Sequence, residues 1–412
     1  MMRVLYNLIM VIIIVFSPLI IFFRILKKKE NPRRFPEKFG FFKKKRGIGK
    51  LIWFHCSSVG EFLSIVPLIE KLEKEEDIKN ILVTTSTLSS SKIFGKFKFR
   101  KTFHQFYPID NYFIINRFLN HWKPSAVFFV ESEVWPEMLN ALKQKKIKIF
   151  LLNARISKKS FNRWKYLKNM GINIFKIFDF IFPQNKETWN YLKYFNIKKI
   201  QILGNLKFSE SEKLNKYDFY QKNFYGRNIL CAASTHNNEE EIISNIHLNL
   251  KKKIKNLITI IIPRHTERTK EIIETLDYKK LNHICHSERK KVKKNTDIYL
   301  VDTYGESKLF YSVSKVVFLG GSLIKRGGQN PLEALRYGCY IAHGKHTFNF
   351  TEIYNMLNKK KLSFEAKNYK QLNKIIFYLL TKKSSNKKEI QKFKRIGINI
   401  LRKNFTKIRD LI

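Results

Sequence analysis

Short, mainly apolar runs recur along this chain, and nearly every one stops at a cluster of small or charged residues before a helical stretch begins. The plainest are LIWFH (51–55), ILVTT (81–85), AVFFVE (126–131), KIFLLN (148–153), NILCAAS (228–234) and LITIIIPRH (257–265). Such a run, without polar alternation, fits a strand buried on both faces. Strands alternating with helical stretches predict parallel βα units, and in such sheets ligands sit at the carboxyl ends of the strands. Further strands are expected in IFDFIFPQ (ending at Gln184), IQILGN (ending at Asn205), HICHS, DIYLVD and VVFLGG. Helices are expected from CSSVGEF to about Glu75, over residues 111–122, and through the basic stretch from Gln371 to Leu411. Residues 209–226, polar and aromatic without an apolar period, read as a linker between two βα series.

The stretch from Val316 to Phe350 concentrates the signal. Val316, Val317, Phe318 and Leu319 end at Gly320 and Gly321, and Gly327 and Gly328 follow. In such a loop the backbone can come close to a ligand. Asn330 is a good N-cap, Pro331 suits the first helical position, and Glu333 lies three residues after the cap. A helix start behind a glycine loop offers free N–H groups to an anion such as a phosphate. In the plainer alternative, Glu333 only closes a capping box with Asn330.

Other strand ends carry chemistry as well. HCSSVGE puts Glu61 in a first helical turn, as a general base or simply as a residue the helix dipole favours. ESEVWPE puts Glu131 and Glu133 together, able to orient a sugar or shift each other's pKa, or to line a solvated loop. Asn153, Arg155 and Ser157 end the next strand, and Arg155 suits an anionic group. In the second half Ser234, Thr235 and His236 mark a strand-to-helix turn suited to phosphate or carboxylate. Arg264 and His265 end the most apolar strand, which aims them at a site; for each the alternative is a cap or a surface charge.

Among 412 residues, 80 Lys and Arg against 33 Asp and Glu give a formal charge of +47. That charge fits nucleic acid, an anionic membrane or an acidic substrate. Because the excess is scattered, it reads as a composition bias and no nucleic-acid partner is expected. A hydrophobic share of 44% excludes a disordered chain. Cys56, Cys231, Cys285 and Cys339 lack metal-ligand spacing, so no metal is expected. Val4 to Phe23 is almost unbroken apolar chain, and about 20 such residues suffice to span a bilayer. Arg24, Lys27, Lys28, Lys29, Arg33 and Arg34 follow, which places that flank in the cytoplasm. The basic cluster lies after the run and no small-residue cleavage site is evident, so an uncleaved anchor is expected over a signal peptide. Spanning and interfacial placements both remain open.

The ordered series HCSSVGE, TTSTLSS, FYPID, ESEVWPE, NARISKKS, GNLKF, STHNNEEE, PRHTER, DTYGE, GGSL, GGQNPLEA and HTFNF resembles the 3-deoxy-D-manno-octulosonic acid (Kdo) transferases of lipopolysaccharide synthesis. The likeness runs from about residue 30 to 400 and includes the apolar N-terminus. It implies an α/β fold of two Rossmann-like domains facing a cleft (the GT-B type), preceded by a membrane-anchor helix. The implied organisation is an anchor over 1–29, an acceptor-binding domain over 30–210, a CMP-Kdo-binding domain over 211–395 and a C-terminal helical segment over 396–412. It further implies an inverting single displacement in which Kdo passes from CMP-Kdo, a substrate rather than a cofactor, to a lipid A precursor at the anionic inner membrane, on its cytoplasmic side.

By the same resemblance Glu61 matches the general base and Glu131 a second acidic position. Ser58 and Arg155 fall on the acceptor side. Ser234, Thr235, Arg264, His265, Gly320, Gly321, Ser322 and Asn330 fall on the nucleotide side, and Glu333 matches a ligand of the ribose hydroxyls. The chain departs from the family pattern at Gln329 (for His), Ala334 (for Pro) and Ser132 (for Thr); none of these removes a carboxylate or an arginine. A different nucleotide-sugar transferase or epimerase of the same architecture is the alternative, and a non-enzymatic basic binding protein is a third reading.

Overall fold

The structure, a computed structural model, describes residues 2–209, 222–382 and 387–412. It divides into two compact units, Met1–Ser211 with Lys394–Ile412, and Glu212–Phe393. In the first, α1 (Met2–Leu26) precedes a sheet of β1 (Leu51–Cys56), β2 (Asn80–Thr85), β3 (Thr102–Phe106), β4 (Ala126–Val130), β5 (Lys148–Ala154) and β6 (Phe180–Pro183). Between the strands lie α2 (Val59–Leu72), α3 (Leu88–Phe94), α4 (Tyr112–Trp122), α5 (Pro136–Gln144), α6 (Lys158–Tyr166) and α7 (Lys168–Phe175), and α8 (Lys186–Tyr194) follows β6. The order is β3-β2-β1-β4-β5-β6 and every pairing is parallel.

Continuous apolar runs become strands covered on both sides. β1 and β4 are buried at every residue. Their side chains alternate between two cores: Leu51, Trp53, Val127 and Phe129 on one face, Ile52, Phe54, Phe128 and Val130 on the other. Phe118 and Trp122 of α4 fill the first core, Phe62 and Ile69 of α2 the second. Ile408 of the C-terminal helix (Lys387–Leu411) joins that second core, so the chain end completes the first unit. Gly397 is required there, because a Cβ would lie 2.2 Å from the Phe208 carbonyl oxygen.

The second unit is again parallel: β7 (Asn228–Thr235), β8 (Leu257–Pro263), β9 (His283–Cys285), β10 (Ile298–Leu300), β11 (Val316–Leu319), β12 (Tyr340–Gly344) and β13 (Ser363–Ala366), ordered β13-β12-β11-β7-β8-β10-β9. β8 is buried throughout.

Several expectations are corrected. IQILGN forms no strand: Ile200 makes a single bridge to Ile181, and Gly204 at φ +96° turns the chain away. β3, β12 and β13 were not legible, since His104 and Gln105, His343, and Glu365 interrupt their apolar runs. The strand AVFFVE stops at Val130, one residue early. Most of the expected linker, residues 210–221, and residues 383–386 within the expected C-terminal helix lie outside the described residues. The helix predicted to open at Asn330 is assigned from Leu332 to Arg336, with the Asn330 Oδ1 accepting the Leu332 N–H at 3.1 Å.

Candidate active site

In each sheet the chain starts at a central strand, builds outward on one side, and then returns to build on the other. The reversal falls between β1 and β4 in the first unit and between β7 and β11 in the second. Loops leaving the carboxyl ends of such a strand pair diverge and leave a crevice where ligands bind. The clusters Ser57–Glu61 and Glu131–Glu133 flank the first reversal; Ser234–His236 and Gly320–Ser322 flank the second.

At the first reversal, Ser58 caps α2 by accepting the Glu61 N–H. The Glu61 carboxylate folds back, its Oε2 accepting the Ser57 N–H at 2.7 Å and its Oε1 the Ser58 hydroxyl at 2.9 Å. This resembles a capping box, with the N–H of Ser57, the residue before the N-cap, taking the place of the N-cap's own, and it fixes the carboxylate at the helix start. Burial, then the negative charges of Glu131 and Glu133, raise the Glu61 pKa to about 7 against the two serine hydrogen bonds. A carboxylate so tuned is half ionised near neutral pH, where a general base works best.

Glu131 stands at φ +62° and is 6% exposed. Left-handed backbone is unfavourable for a glutamate, and non-glycine residues held this way cluster at functional sites. Its amide donates to the Leu152 carbonyl and its carbonyl accepts from Arg155, so β5 holds it on both sides. Its Oε1 lies 2.5 Å from the Nζ of Lys207. Lys207 arrives on the turn after Asn205, and the Asn153 Oδ1 fixes that turn by accepting the Leu206 N–H at 3.0 Å. Sequence reasoning singled out neither Lys207 nor this role of Asn153, although GNLKF was among the motifs; a lone lysine among so many carries no local signal.

Glu133 accepts from the indole N–H of Trp135 at 2.8 Å and lies 3.2 Å from Nε2 of His55. Burial raises its pKa, but bonds from His55, Trp135 and Ser57 outweigh that and leave it lowered overall. His55 in turn meets the Thr84 hydroxyl through Nδ1 at 2.9 Å and stacks on Tyr107. The charges of Glu131 and Glu133 both bear on Glu61. Arg155 lies on the far side of Glu131, where both line a cavity of about 380 Å³ with Ser132, Ser160, Arg163 and Trp164. A larger cavity of about 870 Å³, rich in lysine, opens at the amino ends of β5 and β6, away from these strand-end groups.

At the second reversal the backbone is drawn tight. A Cβ on Gly320 would sit 2.4 Å from the Ser234 carbonyl oxygen, so only glycine fits. Ser234 is left-handed at φ +55°. Glu239, fully buried at the start of the helix Glu239–Lys251, accepts the N–H groups of His236 (3.0 Å), Gly321 (2.7 Å) and Leu323 (3.2 Å). One carboxylate thus ties both loops together; read from sequence, it is one of three glutamates opening a helix. His236, one of the residues it binds, has His265, Arg326 and Arg264 close by. Burial, then the charges of His265, Arg326 and Arg264, lower the His236 pKa against a backbone bond at Ser234. Arg264 and His265 are exposed at the end of β8, and the buried Thr235 hydroxyl has no hydrogen-bond partner among the described residues.

Two expected site residues have neighbours in the protein itself. Ser322 is fully buried, and its Oγ accepts the Gly344 N–H at 2.8 Å, so it clamps β11 to β12. Glu333 lies 3.9 Å from Lys308 in the first turn after Asn330.

Comparison with known proteins accords with this geometry. Residues 33–210 match the family described as 3-deoxy-D-manno-octulosonic-acid transferase (kdotransferase). The chain is 34% identical over 410 residues to 3-deoxy-D-manno-octulosonic acid transferase of Rickettsia bellii, covering 98% of this chain and 96% of that one. It is 33% identical to the enzyme of the same name from Haemophilus influenzae, covering 84% and 83%. A crystal structure of UDP-GlcNAc 2-epimerase from Neisseria meningitidis, 14% identical, superposes with a TM-score of 0.58 over 88% of this chain and 98% of that one, a likeness of fold alone. The chain thus belongs to the Kdo transferase family and is a glycosyltransferase with the α/β, two-Rossmann-domain GT-B fold.

Proposed function

We propose that this Kdo transferase moves Kdo from CMP-Kdo to a hydroxyl of a lipid A precursor, with Glu61 as the general base. The observation that carries the reading is the Glu61 carboxylate, fixed at the β1 strand end by Ser57 and Ser58 and raised to about 7 by burial and by Glu131 and Glu133. The acceptor oxygen attacks the anomeric carbon of Kdo while that carbon's bond to the CMP phosphate breaks. The hydroxyl proton goes to Glu61, and the bonding electrons leave with CMP. One base and no covalent nucleophile suffice, so the configuration inverts.

Glu131, held by Lys207, orients the sugar hydroxyls near the base. Ser58 and Arg155 serve the acceptor, and Arg155 with Arg163 suits its phosphate. In the second unit Arg264, Arg326 and His265 face the charge on the leaving phosphate, which positioned donors stabilise as it develops. Ser234, Thr235, Asn330 and Glu333 hold the nucleotide beside the Gly320–Gly321 turn, whose own N–H groups are bonded to Ala233 and Glu239, while Ser322 shapes the loop. The helix α1, of which the window Ile9–Leu26 is long and apolar enough to cross a membrane, keeps the enzyme at the cytoplasmic face of the inner membrane, where its lipid acceptor lies.

Purified enzyme given CMP-Kdo and tetra-acylated lipid A precursor should yield a lipid heavier by one or more Kdo units in the mass spectrum. Folded, membrane-bound protein that gives no adduct sinks the reading, and a protein that binds UDP-sugars but not CMP points instead to a different nucleotide-sugar enzyme.

A further inference from the structure

The apolar helix α1 does not stand away from the first unit. Tyr6, Met10, Ile14, Ser17, Ile21 and Arg24 are buried or half-buried, whereas Val11, Ile12, Val15, Phe16, Leu19 and Phe22 are exposed. The first set is spaced at four, four, three, four and three residues, which is one face of a helix. Both ends of that face are tied down. The Tyr6 hydroxyl donates to the Asp110 Oδ2 at 2.5 Å. The Arg24 Nε–H donates to the Glu30 Oε2 at 3.1 Å, a carboxylate that Lys38 also reaches at 2.6 Å. Tyr6 and Arg24 are about 27 Å apart along an α-helix, close to the roughly 30 Å of a bilayer's hydrocarbon. A helix held to a folded unit over that length lies beside it, with its other face free for lipid.

What Tyr6 touches matters more. α5 starts at Pro136 behind Trp135, whose side chain gives no capping bond. The missing cap comes from a different loop. Asp110, 2% exposed, accepts the N–H of Glu137 at 3.1 Å and of Met138 at 2.9 Å, and its third donor is Tyr6. Only five residues, Glu131 to Trp135, join the end of β4 to α5, and they include both carboxylates beside Glu61. The start of α5 therefore sets where the acidic loop ends, and a residue of the membrane helix completes the group that holds it.

We propose that Tyr6 is a positioning residue: through Asp110 it fixes the start of α5 and with it the Glu131–Glu133 loop, so that transfer depends on α1 lying docked along the first unit. The inference rests on the role given to that loop under the proposed function. It makes α1 a working part of the site as well as an attachment to the membrane, and it places the helix in the interface.

The test compares full-length wild-type, Tyr6→Phe and Glu131→Gln proteins in detergent micelles, where delivery of the lipid to the enzyme is not limiting. Tyr6→Phe keeps the ring and removes only the hydroxyl. Its kcat should fall roughly tenfold, the factor of one lost hydrogen bond to a charged group, with KM for CMP-Kdo and co-sedimentation with anionic vesicles unchanged. The acidic limb of its kcat/KM profile should also move down in pH, because a displaced loop presses less charge on Glu61. A Tyr6→Phe protein with wild-type kcat, or with lowered kcat but an unmoved pH limb, overturns the positioning role. Glu131→Gln separates the two claims: if it transfers normally, the reading of the acidic loop is wrong, whereas an inactive Glu131→Gln beside a fully active Tyr6→Phe refutes the positioning role alone.

Discussion

The ammonium of Lys207 stands 2.5 Å from the carboxylate of Glu131, and the pair is almost wholly shielded from water. Removing one partner of a buried pair leaves the other charged and unsolvated, at a cost of about 3–5 kcal/mol. Lys207→Met should therefore lower the thermal midpoint and cut transfer by at least tenfold. It should also push the acidic limb of the rate profile to higher pH, since the uncompensated Glu131 charge makes Glu61 still harder to ionise. A pH–rate series on the variant checks the direction.

Glu133 supplies the opposite case. Its charge is one of the causes that raise Glu61, while its own carboxylate is held by His55 and Trp135. In Glu133→Gln the amide carbonyl can still accept from Trp135, and the charge is gone. Ionising Glu61 becomes easier, so the acidic limb should shift to lower pH by about half a unit to one unit. The measurement is kcat/KM between pH 5 and 8.

Glu61 itself couples activity to stability. Its pKa is near 7 in the folded protein against an ordinary 4.5. The unfolded chain gives up this proton first, so between those two values rising pH favours unfolding, and above the upper one the penalty is complete. Glu61→Gln removes that penalty. At pH 7 it should be as stable as the parent or more so, by up to about 2 kcal/mol, while transfer falls by 10²–10⁴-fold and CMP binding persists. Thermal melts at pH 5 and 7, beside a nucleotide-binding assay, test both halves; the gain should shrink at the lower pH.

Gly320 is the least replaceable residue of the second unit's loop. A Cβ would meet the Ser234 carbonyl oxygen at 2.4 Å, and Thr235 backbone atoms close by leave no room to yield. Gly320→Ala should destabilise the protein by roughly 1–3 kcal/mol, as overpacking typically does, and should weaken CMP binding more than acceptor binding. Isothermal titration with CMP reads the second effect directly.

Much of this was legible in the sequence, and particular residues show where it stopped. LIWFH and LITIIIPRH announce buried parallel strands because nothing polar interrupts them, and both form. The helices expected from CSSVGEF and over residues 111–122 both form, capped by Ser58 and Asn111. β3 was hidden because His104 and Gln105 break its apolar run, although burial lowers that histidine's pKa to about 3 and it pairs with Thr85 and Arg34. IQILGN misled in the other direction, since periodicity cannot foresee that Gly204 turns the chain to deliver Lys207 to Glu131. Glu239 and Asp110 act on backbone groups distant in sequence, a kind of contact that spacing does not encode.

The central claim is that Glu61 is the base for Kdo transfer to a lipid A precursor, and a pH–rate profile with a product assay tests it most directly. With CMP-Kdo and tetra-acylated precursor in micelles, kcat/KM for Kdo addition, followed by mass spectrometry, should rise with unit slope and level off near pH 7, as expected for a carboxylate raised to about 7. Glu61→Gln should bind CMP yet form adduct at least a hundredfold more slowly at every pH. Adduct formation by Glu61→Gln at a rate within a few-fold of wild type, with the same pH profile, would contradict the account.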